Sequence, residues 1–501
     1  MPVNKEKLNA IATSNFKINV VGLEFTQSLK MHKYQYYYIN ADLYQGEELL
    51  ASCSTAKKDT TSIILFELSK QLELRKTIEL FGRDVIYFNE DSNTTTTFIT
   101  MDEQLSFSLK YKELPKACHV QFSLKAIKHN AKQNIFEVKD IGWVNYLVYD
   151  YQGYLRSGAN NLALWSGSMK ASNFLQCVDP SCIIYVDLHT FDVPMKYNLL
   201  SPVLRPLPPI PVNGIITPIE IILTFNSGRR RSMSDPIQHV THSNSKSTNT
   251  ALALLLDSTY RDNINVKLTP EHKKAFWDCR SFLKQSPKAL PKFLLSINWT
   301  LPPQVAEGLG LMAYWTPIEP VDALGLLSLK FPDPAIRDFA VQCLENIPTE
   351  ELQDYIPQLV QVLKKEHFHI NAVSKFLLRK AMSDIRIAYD LFWYLKAEME
   401  IPENLERYQL SLESLLCGIS NVIRQELLKQ DELILLCKSL AEAVKGAKAD
   451  SREAIFRRQL KLVKLNGKVR LPINPCLQVS RLIPDKCRYF NSKTVTYFDF
   501  Y

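Results

Sequence analysis

The chain has 501 residues, of which 46% are hydrophobic and 22% charged, an ordinary balance that excludes a wholly disordered protein. Glycine makes up only about 3% of the residues against a usual ~7%, and neither G-x-G-x-x-G nor G-x-x-x-x-G-K-[ST] occurs, so nucleotide-binding folds built on such loops are not favoured. No stretch approaches the ~18 consecutive apolar residues of a membrane-spanning helix, and the N-terminal residues lack the apolar core of a secretory signal. We therefore expect a soluble intracellular protein of two to four domains.

The net charge of +8 is concentrated in one segment near the C-terminus. Residues 445–488 contain twelve Lys or Arg against three acidic residues, so this segment alone carries +9. A local basic surface predicts an anionic partner, either a membrane or an acidic protein, and the alternative is a solvated helix face. Aromatic residues scarcely interleave with the charges, which argues against nucleic acid. The candidate contacts with anionic lipid in this segment are Arg457, Arg458, Lys461 and Lys464.

Residues 14–200, which follow a short tail at residues 1–13, have the pattern of an all-β domain. Three segments alternate apolar and polar residues with period two, and a fourth is a mostly apolar run. These segments are 16–20, 105–109, 120–124 and 183–188. Short strands separated by polar turns predict a β-sandwich.

Residues 201–250 have the composition of a linker. Six prolines come first, followed by three consecutive arginines and a polar run, which together bury too little apolar surface to fold. Pro208 and Pro211 fall on one face of a polyproline II helix, and Arg205 lies where the acidic pocket of an SH3 domain would pair with it. The alternative is a stiff spacer. Ser232, directly after the three arginines, resembles a site for basophilic kinases and is a candidate phosphorylation site.

Residues 251–465 change to a helical period. Thr269-Pro270 and Asp333-Pro334 are start signals, because each places a capping side chain before a proline at the first helical position. From Ile336 onward, apolar residues recur at the spacing of one helix face. Helices in series with short polar joins predict an α-solenoid without an obvious sequence repeat.

The sequence predicts no bound metal and no catalytic constellation. The acidic residues of the β domain are scattered and form no D-x-D pair, so calcium binding is not expected. His367 and His369 are predicted to point apart on a helix, and no C-x-x-C motif indicates zinc. Lys57 and Lys58 form the basic loop of the β domain and are candidate contacts with anionic lipid, or else an ordinary solvated turn.

Several segments carry a family resemblance. In the β domain these are Leu114-Pro115, Ile141-Gly-Trp-Val144 and Leu162-Ala-Leu-Trp165, and in the helical part Ala323-Leu-Gly-Leu-Leu327, Phe331-Pro-Asp333, Tyr355-Ile-Pro-Gln-Leu-Val-Gln-Val-Leu-Lys364, Phe376-Leu-Leu-Arg-Lys-Ala381 and Phe392-Trp-Tyr-Leu-Lys396. These segments and the order of the domains together resemble the phosphoinositide 3-kinases. That order is a β-sandwich, a linker, an α-solenoid and then strands that begin after prolines end the last helix. The match is nearly continuous in the helical half and interrupted at residues 54–98. Segments 424–428, 470–475 and 489–492 look more like the class II branch.

The resemblance implies a C2 domain, an accessory helical (PIK) domain and, at residues 466–501, the truncated start of the lipid kinase domain. The positions that cradle phosphates and hold magnesium in that family have no counterpart in this chain, so ATP and magnesium are expected only if a kinase domain follows. We interpret the chain as a non-catalytic scaffold in phosphatidylinositol phosphate signalling, cytoplasmic and peripheral at endosomal or plasma membranes.

Two alternatives to this interpretation remain. The chain is then either an incomplete product of a gene for an active class II-like lipid kinase, or a free-standing helical-repeat adaptor. In-frame sequence beyond codon 501 with a catalytic loop and a magnesium motif would support the enzyme.

The linker prediction is tested with a peptide of residues 201–214 titrated against a panel of SH3 domains. Because a preformed polyproline II helix loses little entropy on binding, we expect binding, and because the interface is small, we expect it to be weak. Arg205→Ala and Pro208→Ala should each abolish it. Uniform absence of binding would leave the prolines as a spacer.

Overall fold

The computed structural model describes most of the chain, in two compact units. The described residues are 10–25, 34, 36–59, 97–130, 135–168, 173–191, 194–197, 266–462, 467–472, 477–481, 483, 486–491 and 496–499. One unit comprises residues 1–346 and 362–373, and the other residues 347–361 and 374–501. Within the described part of the chain, no helix has the length and apolar character needed to span a membrane.

The first unit contains a β-sandwich of two antiparallel sheets, as predicted. The smaller sheet has the spatial order β5 (Thr97–Lys110), β1 (Asn15–Phe25), β10 (Cys182–Leu188) and β8 (Gly158–Ala163). The larger has the order β3 (Glu48–Ser54), β2 (Tyr36–Gln45), β6 (Cys118–Asn130), β7 (Ile135–Leu147) and β9 (Trp165–Ser166), with β4 (Lys58–Asp59) also paired to β2. The four segments predicted from periodicity lie in β1, β5, β6 and β10.

The core of the sandwich lies between the two sheets and follows the alternation of the strands. In β2, every second residue from Tyr37 to Leu43 is buried, while the residues between them are partly exposed. Successive side chains of a strand point to opposite faces, so this pattern leaves one face of the sheet apolar. Phe16 of β1 stacks on Phe107 of β5, with ring centroids 5.3 Å apart. Ala12, which precedes β1, is buried in the same core.

The described residues of the first unit form six helices after the sandwich. They are α1 (Pro270–Asp278), α2 (Arg280–Leu283), α3 (Leu290–Ser296), α4 (Pro302–Met312), α5 (Pro320–Leu326) and α6 (Pro334–Leu344). Both predicted start signals are confirmed: the Thr269 hydroxyl accepts from the N–H of His272, and the Asp333 carboxylate accepts from the N–H of Ala335. These side chains satisfy N–H groups that the first turn of a helix leaves unpaired.

The second unit is mainly helical. Its helices are α7 (Thr349–Leu363), which crosses the unit boundary near its end, α8 (Ala372–Ser383), which crosses it near its start, α9 (Ile385–Glu398), α10 (Leu405–Gly418), α11 (Asn421–Gly446) and α12 (Arg452–Leu462). Two short antiparallel ribbons follow, β11 (Val469–Arg470) with β12 (Gln478–Val479), and β13 (Arg488–Asn491) with β14 (Thr496–Asp499). The sandwich followed by a helical region confirms the predicted fold class.

Polar contacts reveal a structural repeat in the second unit. The Gln353 amide of α7 donates to Asp390 of α9, and the next pair along the same helices is Gln361 with Glu398. Each pair is separated by 37 residues in sequence. Because both numbers of a pair rise together, α7 and α9 run parallel.

The same offset joins α9 to α11. The Tyr389 hydroxyl donates to Glu426, and the Trp393 indole N–H donates to Gln430 at 3.0 Å, in both cases across 37 residues. Lys396 completes this row through an ion pair of 2.7 Å with Asp431. Helices α7, α9 and α11 are therefore equivalent members of successive repeats, which is the arrangement of an α-solenoid.

A hairpin turn joins the sandwich to the helices of the first unit. The turn between β2 and β3 has Gly46 in the left-handed region, at φ +60°. A Cβ atom added at Gly46 would clash with the carbonyl oxygen of Leu329 and lie 3.1 Å from Pro332, both in the connection between α5 and α6. Beside the turn, Glu48 forms an ion pair of 2.8 Å with Lys273 of α1. Gly46 thus permits both the turn and the close approach.

We expect Gly46→Ala to destabilise the first unit more than Gly167→Ala does. Gly167 also has a positive φ, of +85°, but its added Cβ would meet nothing within 4 Å. Both variants should lose about 1 kcal/mol through left-handed strain, and Gly46→Ala about 1–3 kcal/mol more through the clash. Urea unfolding measures the free energies, and equal losses would contradict the close approach.

Candidate functional site

The basic surface of α12 is the first candidate site. On one face of this helix, Phe456 and Leu460 are buried in a cluster with residues of α11 and with Cys487. On the opposite face, Arg458 and Lys461 are exposed. The spacing of four between the two buried residues fixes one face of the helix against the core, so Arg458, halfway between them, turns to solvent. The other exposed basic residues among the described part of the same segment are Lys445, Lys448, Lys468, Arg481, Lys486 and Arg488.

The four predicted lipid contacts of this segment are not equivalent. Arg457 is half-buried, forms an ion pair of 2.7 Å with Glu453 one turn earlier, and lies over the ring of Phe456. Its charge is therefore already balanced within the helix. Arg458 and Lys461 present their charges to solvent, and Lys464 lies outside the described residues. Among the described residues of α12, Arg458 and Lys461 therefore remain the two candidate contacts with anionic lipid.

Of the remaining predicted site residues, the structure describes the two lysines of the sandwich but not the residues of the linker. Lys57 is exposed in the connection between β3 and β4, and Lys58 begins β4, where it pairs with Tyr37. Arg205, Pro208, Pro211 and Ser232 lie outside the described residues. The linker sites therefore stay sequence predictions, whereas the basic loop of the sandwich has a defined position.

An aromatic cluster at the sandwich–helix junction was not predicted from sequence. His119 of β6 stacks on Tyr44 of β2, with ring centroids 5.8 Å apart, and meets Phe174 edge-on. His367 contacts the same Phe174 at 4.3 Å and lies 6.3 Å from His119. His119 is 3% exposed and its Nδ1 has no hydrogen-bond partner among the described residues. This burial lowers the pKa of His119 to about 4.

The prediction that His367 and His369 lie on a helix is wrong. Helix α7 ends at Leu363, residues 364–365 form a turn, and the bends that contain both histidines follow at 367–370, before α8. Glu366 in this connection accepts from Nε and Nη2 of Arg337, at 2.9 and 2.6 Å, and both side chains are buried. Arg337 also donates to the carbonyl oxygens of Ser328 and Phe331. This buried pair holds the connection that carries His367 to the sandwich.

Two acidic residues of the sandwich, Asp150 and Asp140, have structural contacts within the domain. Asp150 accepts from the N–H groups of Gln152 and Tyr154 in a turn, and Asp140 forms an ion pair with Lys125. In the described ranges, no group of three or more His, Cys, Asp or Glu side chains is placed to hold a metal ion.

A polar groove of about 540 Å³ lies on the outer face of the smaller sheet. Gln104, Asn19 and Asp187 form a row across its floor, because Asn19 of β1 is paired with both of the others. The row offers hydrogen-bond donors and acceptors from three adjacent strands. The outward-facing positions of an antiparallel sheet are ordinarily polar, so the groove by itself indicates no chemistry.

The buried His119 predicts a pH-dependent stability of the first unit. Its pKa in the folded state, about 4, lies below its ordinary 6.5, so between these values the unfolded chain binds the proton more readily. Stability should therefore fall as the pH is lowered from 6.5 to 4, by up to about 3 kcal/mol. Thermal unfolding across this range should show a shallower pH dependence for His119→Phe than for the parent chain.

His189→Phe is the matched control, because His189 is exposed. It should retain the pH dependence of the parent. If His119→Phe and the parent lose stability in parallel on acidification, His119 does not contribute, and other groups account for the slope.

Comparison with known protein families matches both halves of the chain. Residues 33–179 match the phosphoinositide 3-kinase C2 domain, and residues 243–428 match the accessory (PIK) domain of the same family. The first match lies in the sandwich, and the second ends within α11.

Comparison with individual proteins indicates the same family. Phosphatidylinositol 3-kinase 2 of Dictyostelium discoideum is 32% identical over 414 residues, which are 79% of this chain and 22% of that protein. The human phosphatidylinositol 4-phosphate 3-kinase C2 domain-containing subunit beta is 29% identical over 79% of this chain and 23% of its own length. Phosphatidylinositol 3-kinase 1 of D. discoideum is 30% identical over 77% of this chain and 23% of its own length. The chain therefore spans less than a quarter of these relatives, and with its C2 and accessory domains it belongs to the phosphoinositide 3-kinase family.

Proposed function

We propose that this chain is the C2 and accessory-helical scaffold portion of a phosphoinositide 3-kinase, acting in phosphoinositide signalling through membrane and protein contacts. The observation that carries the proposal is the presence of both family domains, in the order sandwich then solenoid, on one chain. A scaffold of this kind places a catalytic domain at a lipid surface. The activity named for the relatives belongs to those proteins, and for this chain an active class II-like lipid kinase is the alternative.

The membrane contact is proposed to be electrostatic and peripheral. The exposed Arg458 and Lys461 share a face of α12, within a segment whose other exposed basic residues add to the same positive field. Each Lys or Arg near an anionic bilayer contributes about 1 kcal/mol to binding, and the attraction is screened by salt. This supports a cytoplasmic protein that binds endosomal or plasma membranes reversibly. Lys57 at the sandwich is a second, independent contact in this proposal.

Protein contacts are proposed for the linker. Arg205, Pro208 and Pro211 would bind an SH3 domain, and phosphorylation of Ser232 would add about −1.5 to −2 charges next to three arginines. The proposal rests on spacing and composition in the sequence alone.

Binding to anionic vesicles tests the membrane proposal. The full chain is sedimented with vesicles of phosphatidylcholine containing phosphatidylserine and phosphatidylinositol 4-phosphate, at low and high salt. Arg458→Glu/Lys461→Glu should weaken binding at least about ten-fold at low salt, because two attractive charges become repulsive. Binding of the parent should itself weaken as salt rises.

Two variants serve as controls in the vesicle experiment. Lys375→Glu/Lys438→Glu changes the net charge equally at exposed positions of α8 and α11, outside the basic segment, and should bind nearly as well as the parent. Arg457→Glu should have a smaller effect than either exposed residue, since Arg457 is already paired with Glu453. Equal losses in all variants would indicate a response to total charge and contradict a contact through α12.

A further inference from the structure

A pocket of about 320 Å³ lies between α7 and α9, within the second unit. Pro357 and Tyr394 line it at one level, and Gln361 and Glu398 line it one turn further along the two helices. At the levels before and after the proline, a glutamine of α7 reaches a carboxylate of α9. The short ring of Pro357 has no polar group that could reach α9 in the same way, so a space opens at this level.

One oxygen of the Glu398 carboxylate in this pocket lacks a hydrogen-bond donor. Its Oε1 accepts from the Gln361 amide, whereas its Oε2 is shielded from solvent and has no hydrogen-bond partner among the described residues. The carboxylate of Asp431, on the neighbouring α11, differs in this respect, because both of its oxygens accept from Lys396 at 2.7 Å. A shielded carboxylate oxygen without a donor is energetically unfavourable, so a donor that enters the pocket is stabilised there.

The other groups of the pocket suit a cation that is carried on an apolar stem. Tyr394 lines the pocket, and a tyrosine ring attracts a positive charge held over its face. Val360, which is buried, and Ala397 form an apolar wall that can pack against methylene groups. A free metal ion would need several oxygen ligands, whereas a lysine or arginine side chain binds well to a single carboxylate. The pocket therefore fits a basic side chain.

The basic residues of the two helices that form the pocket do not supply this side chain. Helix α7 contains three acidic residues and no basic one. The two basic residues of α9 are already paired elsewhere: Lys396 with Asp431, and Arg386 with Glu350 and Asp384. The charge at the pocket is therefore complementary to a basic group that comes from outside these two helices.

An exposed apolar surface continues from the pocket onto α11. The row of contacts that joins Trp393 to Gln430 reaches Ala397 and Ile434 one turn later, and both of these residues are exposed. Leu435 follows directly, and Ile434 and Leu435 have exposed fractions of 40% and 56%. Neighbouring exposed apolar side chains beside a charged pocket are typical of a surface that binds another protein.

We propose that the pocket between α7 and α9 binds a segment of a partner protein in which one lysine or arginine is flanked by apolar residues. The basic side chain donates to Oε2 of Glu398 and lies against the ring of Tyr394, while an apolar neighbour covers Ile434. The contact area is small, so the segment alone binds weakly. This contact is separate from the basic surface of α12 and does not depend on lipid.

Selection from a library of random twelve-residue peptides tests the proposal. The library is panned against the immobilised full chain, and a selected peptide is synthesised and titrated by calorimetry. Selected peptides should carry a lysine or arginine with apolar neighbours and bind with a Kd of about 1–100 μM. Replacing that residue by its uncharged analogue, citrulline or acetyl-lysine, should raise the Kd at least about ten-fold, because the charge pair with Glu398 is lost.

Variants of the chain locate the peptide in the pocket. Glu398→Gln keeps an oxygen for the Gln361 amide but removes the charge, and it should raise the Kd at least about ten-fold. Tyr394→Ala should weaken binding about three-fold or more through loss of the ring, and Tyr394→Phe, which keeps the ring, should restore it. Ile434→Ala should weaken binding about three-fold through loss of apolar contact.

Two matched controls lie on α11, away from the pocket. Glu442→Gln removes the same charge at an exposed position, and Val422→Ala shortens an exposed apolar residue, so both should leave the Kd within about two-fold of the parent. Thermal unfolding of each variant confirms that it is folded. The proposal is overturned if panning enriches no peptide, if the enriched peptides are acidic or purely apolar, or if Glu398→Gln binds them as tightly as the parent does.

Discussion

The junction of sandwich and helices in the first unit depends on one buried ion pair. Removing the charges of Arg337 and Glu366 from water is costly, and their attraction offsets that cost only when the remaining hydrogen-bonding groups are satisfied. The guanidinium meets this condition through two carbonyl oxygens in addition to the carboxylate. Loss of one partner would leave the other charge buried and unpaired and would lower the free energy of unfolding by about 3–5 kcal/mol. This is a large part of the stability of an ordinary domain. The irregular connection at residues 366–371 is fixed by this pair rather than by a helix of its own.

Structural features that depend on residues close in sequence could be predicted from the sequence. Features that depend on contacts between residues distant in sequence could not. The caps at Thr269 and Asp333 act within three residues, and strand alternation is visible within five, so both were predictable. His367 was misplaced because its position follows from Glu366, which is drawn to a buried arginine on α6. Nothing near His367 in sequence indicates Phe174 or His119, which belong to the sandwich. The glycine at position 46 is compatible with a turn, but its close approach to Leu329 depends on a tertiary contact that the local sequence does not indicate.

The repeat in the second unit shows why a solenoid can be regular without a sequence repeat. Between α7, α9 and α11 the offset of 37 residues recurs, yet the paired residues are Gln with Asp, Gln with Glu, Tyr with Glu and Trp with Gln. Each pair satisfies a polar group between parallel helices, and many donor–acceptor combinations do this equally well. The spacing can therefore recur along the chain without recurrence of the residue types. A search for identical residues misses such a repeat, whereas a search for polar residues at a constant offset would find it.

The arrangement of charges on a surface determines its interactions more than their number does. The segment 445–488 was conspicuous because it carries +9, but within it Arg457 is neutralised by Glu453 whereas Arg458 is not. Two neighbouring arginines of one helix therefore contribute differently to an electrostatic contact, because an anionic surface is attracted by the charge that no carboxylate of the chain already balances.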